Sequence, residues 1–321
     1  MRIFVLALDD VFDMGLSAVL DTLETAGDLA AMQGGGNGPP FSVHLVGMRA
    51  RARTHQGLQV PLDAAAARRR PDVVIVPALG CKTPPTLDAA LARRDVAEAA
   101  AALREWARAG ALLSAACTGT FVLAETGLLD GRPATTTWWL APQFRERFPR
   151  VLLDDSRMVV QSGMLATAGA ALAHLDLSLW LVRRHSPALA ALTARYLVVE
   201  PRGSQAAYAI PDQLAHTDAL VEKFEAWARR RLSNRFSLAE AARAVGTSQR
   251  TLARRLALVL GKSPLSYVQD LRVERATHLL QTSEASVDEI AAQVGYADGV
   301  TLRTLLRRKT GRGVRELRAR S

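Results

Sequence analysis

Between Arg2 and Val199, short and almost uninterrupted apolar runs alternate with longer stretches whose apolar residues recur every three to four positions. Arg2–Leu8, Phe41–Val46, Asp72–Val76 and Ala111–Ala115 are the short runs, and they read as strands of a parallel sheet buried on both faces. Leu16–Ala26, Leu87–Ala109 and Thr118–Thr126 carry the helical period and lie between them. That rhythm predicts a doubly wound, flavodoxin-like α/β domain. Gln33–Pro40 is a loop by its glycine and proline content. Ala170–Val182 and Ala188–Val199 add two helices separated at Ser186-Pro187.

The pattern changes across Glu200–Pro211, which carries two prolines and a glycine. Placing the domain boundary there divides the chain into residues 1–205 and 206–321. Beyond it no strand pattern remains. Leu214–Leu232, Leu238–Val245, Gln249–Leu260, Pro264–Thr282, Val287–Val294 and Val300–Lys309 read as helices, so the second domain is all-α, punctuated by Gly246, Gly261, Gly295 and Gly311.

This second domain repeats itself. Ser237-Leu238-x-Glu240-x-Ala242-x-x-Val245-Gly246 returns as Ser286-Val287-x-Glu289-x-Ala291-x-x-Val294-Gly295. Leu252, Leu256 and Gly261 then return as Leu302, Leu306 and Gly311, after one inserted residue. Each copy fits a helix-turn-helix: a Ser cap with Glu three residues later, a small residue where two helices approach, a glycine turn and a second helix. The second helices carry the polar side chains that reach base edges and phosphates. In the first copy these are Ser248, Gln249, Arg250, Thr251, Arg254 and Arg255, and in the second Thr301, Arg303, Thr304, Arg307 and Arg308. The spacer helix Pro264–Thr282 is about 28 Å long at ~1.5 Å per residue, close to the roughly 34 Å turn of duplex DNA. A helical repeat that binds protein is the alternative.

Charge changes the picture only once it is located. From Asp212 onward there are 20 Lys+Arg against 12 Asp+Glu, and residues 1–211 hold 21 against 19, within a formal net charge of +10. A basic solvated surface and a phosphate-contacting one both account for the excess. No apolar run reaches the roughly 20 residues that span a bilayer. The opening MRIFVLALDD turns acidic too soon for a signal peptide and reads as a buried strand. Two cysteines, Cys81 and Cys117, make no disulfide framework and fit a reducing cytoplasm.

The C-terminal motifs resemble the AraC-type DNA-binding domain. They include Ser248-x-Arg250-x-Leu252-x-Arg254, Gly261-Lys262-Ser263-Pro264-x-x-Tyr267 and Arg272-Val273-x-x-Ala276-x-x-Leu279-Leu280. Ile290-Ala291, Gly295-Tyr296-x-Asp298 and Arg307-Arg308-x-x-Gly311 continue the match. The chain departs from the pattern at Gly313-Val314, where Ser-Pro is usual, and at Leu302 and Leu305, where aromatics are common.

In the first domain, Ser114-Ala-Ala-Cys117-Thr118-Gly119-Thr120 follows an apolar strand and opens a helix, the arrangement of a nucleophile elbow. A helix N-terminus favours thiolate. With Leu123–Arg132, Ala134-Thr135-Thr136, Ala168-Gly169, Asp176 and Pro201–Gln205, the domain resembles the PfpI and class I glutamine-amidotransferase-like superfamily. The likeness is closest in the GlxA-like branch fused to AraC-type domains. The histidine that active members carry after the cysteine is Thr118 here, and the one expected after the Ala-Thr-Thr run is Trp138, followed by Trp139. His44, His55, His174 and His185 lie outside the motif and read as ordinary surface or helix residues.

The domain therefore reads as a sensor without hydrolytic chemistry, its pocket walled by Asp13, Leu79, Gly80, Cys117, Thr118, Trp138 and Ala168. Trp138 reads either as a stacking surface or as a core or interface residue, and Cys81 as structural. No catalytic residue, metal ligand or cofactor is assigned. The resemblance implies a homodimeric regulator of promoter DNA with a small-molecule effector and RNA polymerase as a further partner. A cysteine-dependent hydrolase and a Cys117 redox sensor remain as alternatives.

Overall fold

The computed structural model describes residues 1–33, 40–64, 66, 69–200, 202–205 and 218–318. Most of the loop predicted at Gln33–Pro40, most of the Glu200–Pro211 segment and the start of the helix predicted from Leu214 lie outside the described residues. The chain forms two compact units, Met1–Gln205 and Ala206–Ser321.

The first unit is built on a six-stranded sheet of order β2-β1-β5-β6-β10-β9. Its strands are β1 (Arg2–Leu6), β2 (Ser42–Val46), β5 (Val73–Val76), β6 (Leu112–Ala116), β9 (Val159–Ser162) and β10 (Leu165–Ala168). All neighbours pair in parallel except β9, which runs antiparallel along one edge. Alternate strand residues face opposite layers. Phe4, Leu6, Val74, Val76, Leu113 and Ala115 enter one core, while Ile3, Val5, Val73, Ile75, Leu112 and Ala116 enter the other. This is why the strands read as unbroken apolar runs.

The second core lies under α1 (Asp13–Met32), α6 (Ala173–His185) and α7 (Pro187–Tyr196). The first lies under α2 (Pro84–Leu91), α3 (Arg94–Arg108), α4 (Gly119–Ala124) and α5 (Ala141–Arg147). The single helix expected over Leu87–Ala109 is thus two. Arg93 between them is extended and its guanidinium reaches the Asp9 carbonyl at 2.6 Å, while Asp95 accepts the Asp9 amide. The break fixes the loop after β1. Short strands β3 (Arg51–Arg53) and β4 (Gln59–Pro61), and β7 (Pro133–Ala134) beside β8 (Leu152–Leu153), complete the unit.

In the second unit the described residues form α8 (Ala219–Arg229), α9 (Leu238–Ala244), α10 (Gln249–Leu260), α11 (Pro264–Thr282), α12 (Val287–Gln293), α13 (Gly299–Thr310) and α14 (Val314–Arg318). Ser237, Ser248, Ser263, Ser286 and Asp298 each cap a helix by accepting a backbone N–H. Of the two expected capping boxes only the second is reciprocal. Glu289 accepts the Ser286 amide at 2.7 Å, whereas Glu240 turns instead toward Arg231 at 3.4 Å. Gly295, at φ 80°, is required by close approach as well, since a Cβ there would lie 2.4 Å from the Leu232 carbonyl oxygen. Leu302 and Leu305 are buried among Val273, Ala276, Ile290 and Leu306, so aliphatic packing fills the places expected of aromatics.

Candidate functional site

The two second helices, α10 and α13, share the spacing of two buried leucines and a closing glycine. Leu252 and Leu256 in one, and Leu302 and Leu306 in the other, are fully buried, and both helices end at a left-handed glycine, Gly261 or Gly311. What remains outward is polar. Ser248, Gln249, Arg250 and Arg254 are exposed on the first, as are Thr301, Arg303, Thr304, Arg307 and Arg308 on the second.

These residues are not equally available. Thr251 and Ser248 serve the cap: the Thr251 amide donates to Ser248 Oγ at 3.1 Å, and the hydroxyls meet at 2.9 Å. Thr301 donates to Asp298 through both its amide and its hydroxyl. Arg255 pairs at 2.5 Å with Asp218, whose other oxygen caps α8 through the Leu220 and Val221 amides. Arg308 leans on Gln269 at 3.4 Å. Gln249, Arg250 and Arg254 in one copy, with Arg303 and Arg307 in the other, are left as the outward set on the two helices.

In the first unit the elbow has the expected shape. Cys117 follows β6 at φ 55°, a left-handed conformation rare for a residue with a Cβ. Gly119 lets the turn close, because a Cβ there would meet the Val76 and Pro77 carbonyls at 2.4 and 2.6 Å. The Cys117 amide donates to the Ala168 carbonyl at 2.9 Å, and the Thr118 hydroxyl both donates to and accepts from the Leu79 backbone at 2.8 Å. Leu79, Cys117, Thr118 and Ala168 are therefore brought together.

The other three predicted wall residues are held by further contacts of their own. Asp13 accepts the Gln56 amide at 3.0 Å, beyond the β3 strand. Gly80 lies against His55, whose imidazole meets Asp10 at 2.8 Å. Trp138 is buried and packs edge-to-face on Trp139 at 5.5 Å, so it offers no open stacking surface.

The thiolate expectation is corrected. Cys117 is only 4% exposed, and burial pushes its thiol up to about 12, with the polar groups of Thr118 and Thr137 beside it insufficient to offset it. Helix α4, six residues long, is too short to outweigh that desolvation. Burial and the Asp10 charge also raise the Cys81 thiol, to about 11.

Two polar residues central to this region had no role assigned from sequence. His174 is buried, accepts the Ala78 amide at 3.0 Å through Nε2 and donates Nδ1–H to the Ala171 carbonyl at 2.6 Å. Gln205 is 1% exposed. Its amide nitrogen donates to the Thr136 carbonyl and its oxygen accepts the Ala170 amide, each at 2.8 Å, while the Thr136 hydroxyl donates to the Cys117 carbonyl. No sequence signal marks His174. For Gln205 the available sign was its place in the Pro201–Gln205 motif.

An elbow-bearing, doubly wound α/β unit followed by paired helix-turn-helix units defines a two-part regulator architecture. The DJ-1/PfpI family matches residues 1–184, and the helix-turn-helix domain family matches residues 241–320. The HTH-type transcriptional regulator GlxA of Rhizobium meliloti is 30% identical over 235 residues, 71% of this chain and 71% of its own. The HTH-type transcriptional regulator GbdR of Pseudomonas aeruginosa is 30% identical over 198 residues, 60% of this chain. The match spans about half of GbdR, 54% of its length. A crystal structure of a putative transcriptional regulator protein from Vibrio parahaemolyticus shares the fold, with a TM-score of 0.51 at 22% identity over 61% of this chain and 98% of that one. The chain belongs to the DJ-1/PfpI family and, with its second domain, to the AraC-type regulators of the GlxA kind. Among the described residues no helix is long and apolar enough to cross a membrane.

Proposed function

We propose that the protein is a sequence-specific, DNA-binding transcriptional regulator whose α/β domain senses a small-molecule effector and performs no hydrolysis. The observation that carries the reading is the pair of second helices with equally spaced buried leucines, each presenting exposed arginines away from them. The relatives named as transcriptional regulators support it. Promoter DNA is the partner, read in successive major grooves through Arg250 and Arg254 in one unit and Arg303 in the other, with Arg307 in the last turn of α13 set on the phosphate backbone. Ser248 and Thr301 shape the helix ends, and Gln249, Thr251, Arg255, Thr304 and Arg308 complete the face. The α/β domain pairs two copies in the cytoplasm, and bound regulator touches RNA polymerase. The effector acts at the elbow, around Leu79, Cys117, Thr118 and Ala168.

A hydrolase would need a thiolate and a base in reach of it. Cys117 is buried, and burial pushes its thiol up to about 12, against forming a thiolate. The test is capture of genomic DNA by the purified full-length protein at controlled salt. A short recovered motif repeated at about one-turn spacing supports the regulator. Salt-sensitive recovery without any motif overturns it.

A further inference from the structure

Superposing the two recognition helices on their buried leucines puts Val300 of α13 where α10 carries Arg250, each two residues before the first buried leucine. Two residues is roughly 200° of helix, so both side chains point away from the core. Val300 is 67% exposed, an apolar group on an otherwise polar and basic face. One turn further on the contrast repeats, with Arg254 in the first copy and Thr304 in the second. The Thr304 hydroxyl donates back to the Val300 carbonyl at 3.0 Å, which commits its proton. The caps differ as well. The first helix opens at neutral Ser248, while the second opens at Asp298, whose carboxylate is held below the usual range by the Thr301 amide.

A helix that enters the major groove with its first turn meets base edges there. An arginine at that position is matched to the O6 and N7 acceptors of guanine, whereas a branched apolar group is matched to the C5-methyl of thymine. Arg303, Arg307 and Arg308 flank Val300 and supply the positive charge that holds the helix to the duplex. We propose that Val300 is a specificity-determining residue that reads a thymine methyl. The two units then recognise unlike half-sites, guanine opposite Arg250 and thymine opposite Val300. This rests on the DNA-binding reading above.

The test starts from the motif that full-length protein selects from random duplexes, and replaces each of its thymines in turn by uracil, which lacks only the methyl. One replacement is expected to weaken binding by about fourfold, the worth of one buried methyl. Val300→Ala should lose that sensitivity while keeping the rest of the motif, and Val300→Arg should shift the preference at that position toward guanine. Because Val300 is exposed, neither change disturbs the core. A selected motif in which no thymine methyl is felt through Val300 overturns the inference and leaves the regulator intact. Failure to select any motif overturns the DNA-binding reading itself.

Discussion

At Val198 the chain places a β-branched residue at φ 54° while leaving it 90% exposed. It stands at the left-handed position after α7, where the Val199 amide donates to the Ala194 carbonyl and the Val198 amide to that of Arg195. Such a closure favours glycine, and a Cβ in this region costs about 1–2 kcal/mol. Val198→Gly relieves that strain but frees the unfolded chain by about 0.4–1 kcal/mol. The variant should therefore be more stable by about 0.5–1 kcal/mol, read as a higher denaturation midpoint. An unchanged or lower midpoint would mean that the valine side chain holds something. Cys117 has the same backbone geometry and the opposite environment. With its thiol buried and pushed up to about 12, alkylation at pH 8 should run at least about a hundredfold slower in the native protein than in the unfolded chain. Peptide mass mapping of labelled cysteine checks this, and fast native labelling would reopen the redox-sensor alternative.

At the scale of elements, His174 joins α6 to the turn after β5, and burial holds its imidazole down to about 4. The unfolded imidazole takes a proton near pH 6.5, the folded one only near 4. Stability is thus intact above about 6.5, falls as pH drops toward 4 by up to about 3 kcal/mol, and flattens below. Tryptophan fluorescence during urea unfolding at stepped pH measures this, since Trp106, Trp138, Trp139 and Trp180 all lie in the first unit. His174→Gln, which cannot titrate, should flatten that limb. Arg272 does comparable work in α11. Buried, it donates to the Leu232 and Asn234 carbonyls at 3.1 and 2.6 Å and stacks on Tyr296. Arg272→Ala should cost the helical unit roughly 2–4 kcal/mol, and lysine should not restore it, because one ammonium cannot span both carbonyls and the ring. Circular dichroism melts follow both variants. Neither role was legible in the sequence, because Arg272 depends on the Leu232 carbonyl 40 positions away and His174 on the Ala78 amide 96 positions away. The central strands and the paired helix-turn-helix units were legible, because their buried positions repeat with the period of the element. The short strands β7 to β10 were not: they hold two to four residues each, and Leu165–Ala168 is mostly small side chains. For the elbow the backbone shape was legible and the state of its thiol was not. The former follows from a strand meeting a helix at a glycine, the latter from the burial of the side chain in the folded domain.

For the molecule as a whole, charge is divided as the functions are. The first 211 residues are close to neutral, and the excess of Lys+Arg lies beyond them. Two kinds of arginine follow from the geometry of the helices. On the proposed DNA-binding reading, Arg250, in the first turn of α10, is set to meet base edges, whereas Arg307, in the last turn of α13, is set to meet the phosphate backbone. Each neutralised phosphate releases condensed counterions, so affinity falls steeply with salt in proportion to the number of phosphates held. Arg307→Ala should weaken binding to selected and unrelated duplexes alike and reduce the slope of log affinity against log salt by about one. Arg250→Ala should leave that slope nearly unchanged while narrowing the gap between selected and unrelated duplexes by about 1–3 kcal/mol. Titrating both variants on two duplexes from low to moderate salt separates the effects. If both changes lowered the slope equally and neither touched discrimination, the second unit would be an electrostatic clamp and sequence would be read elsewhere on the chain.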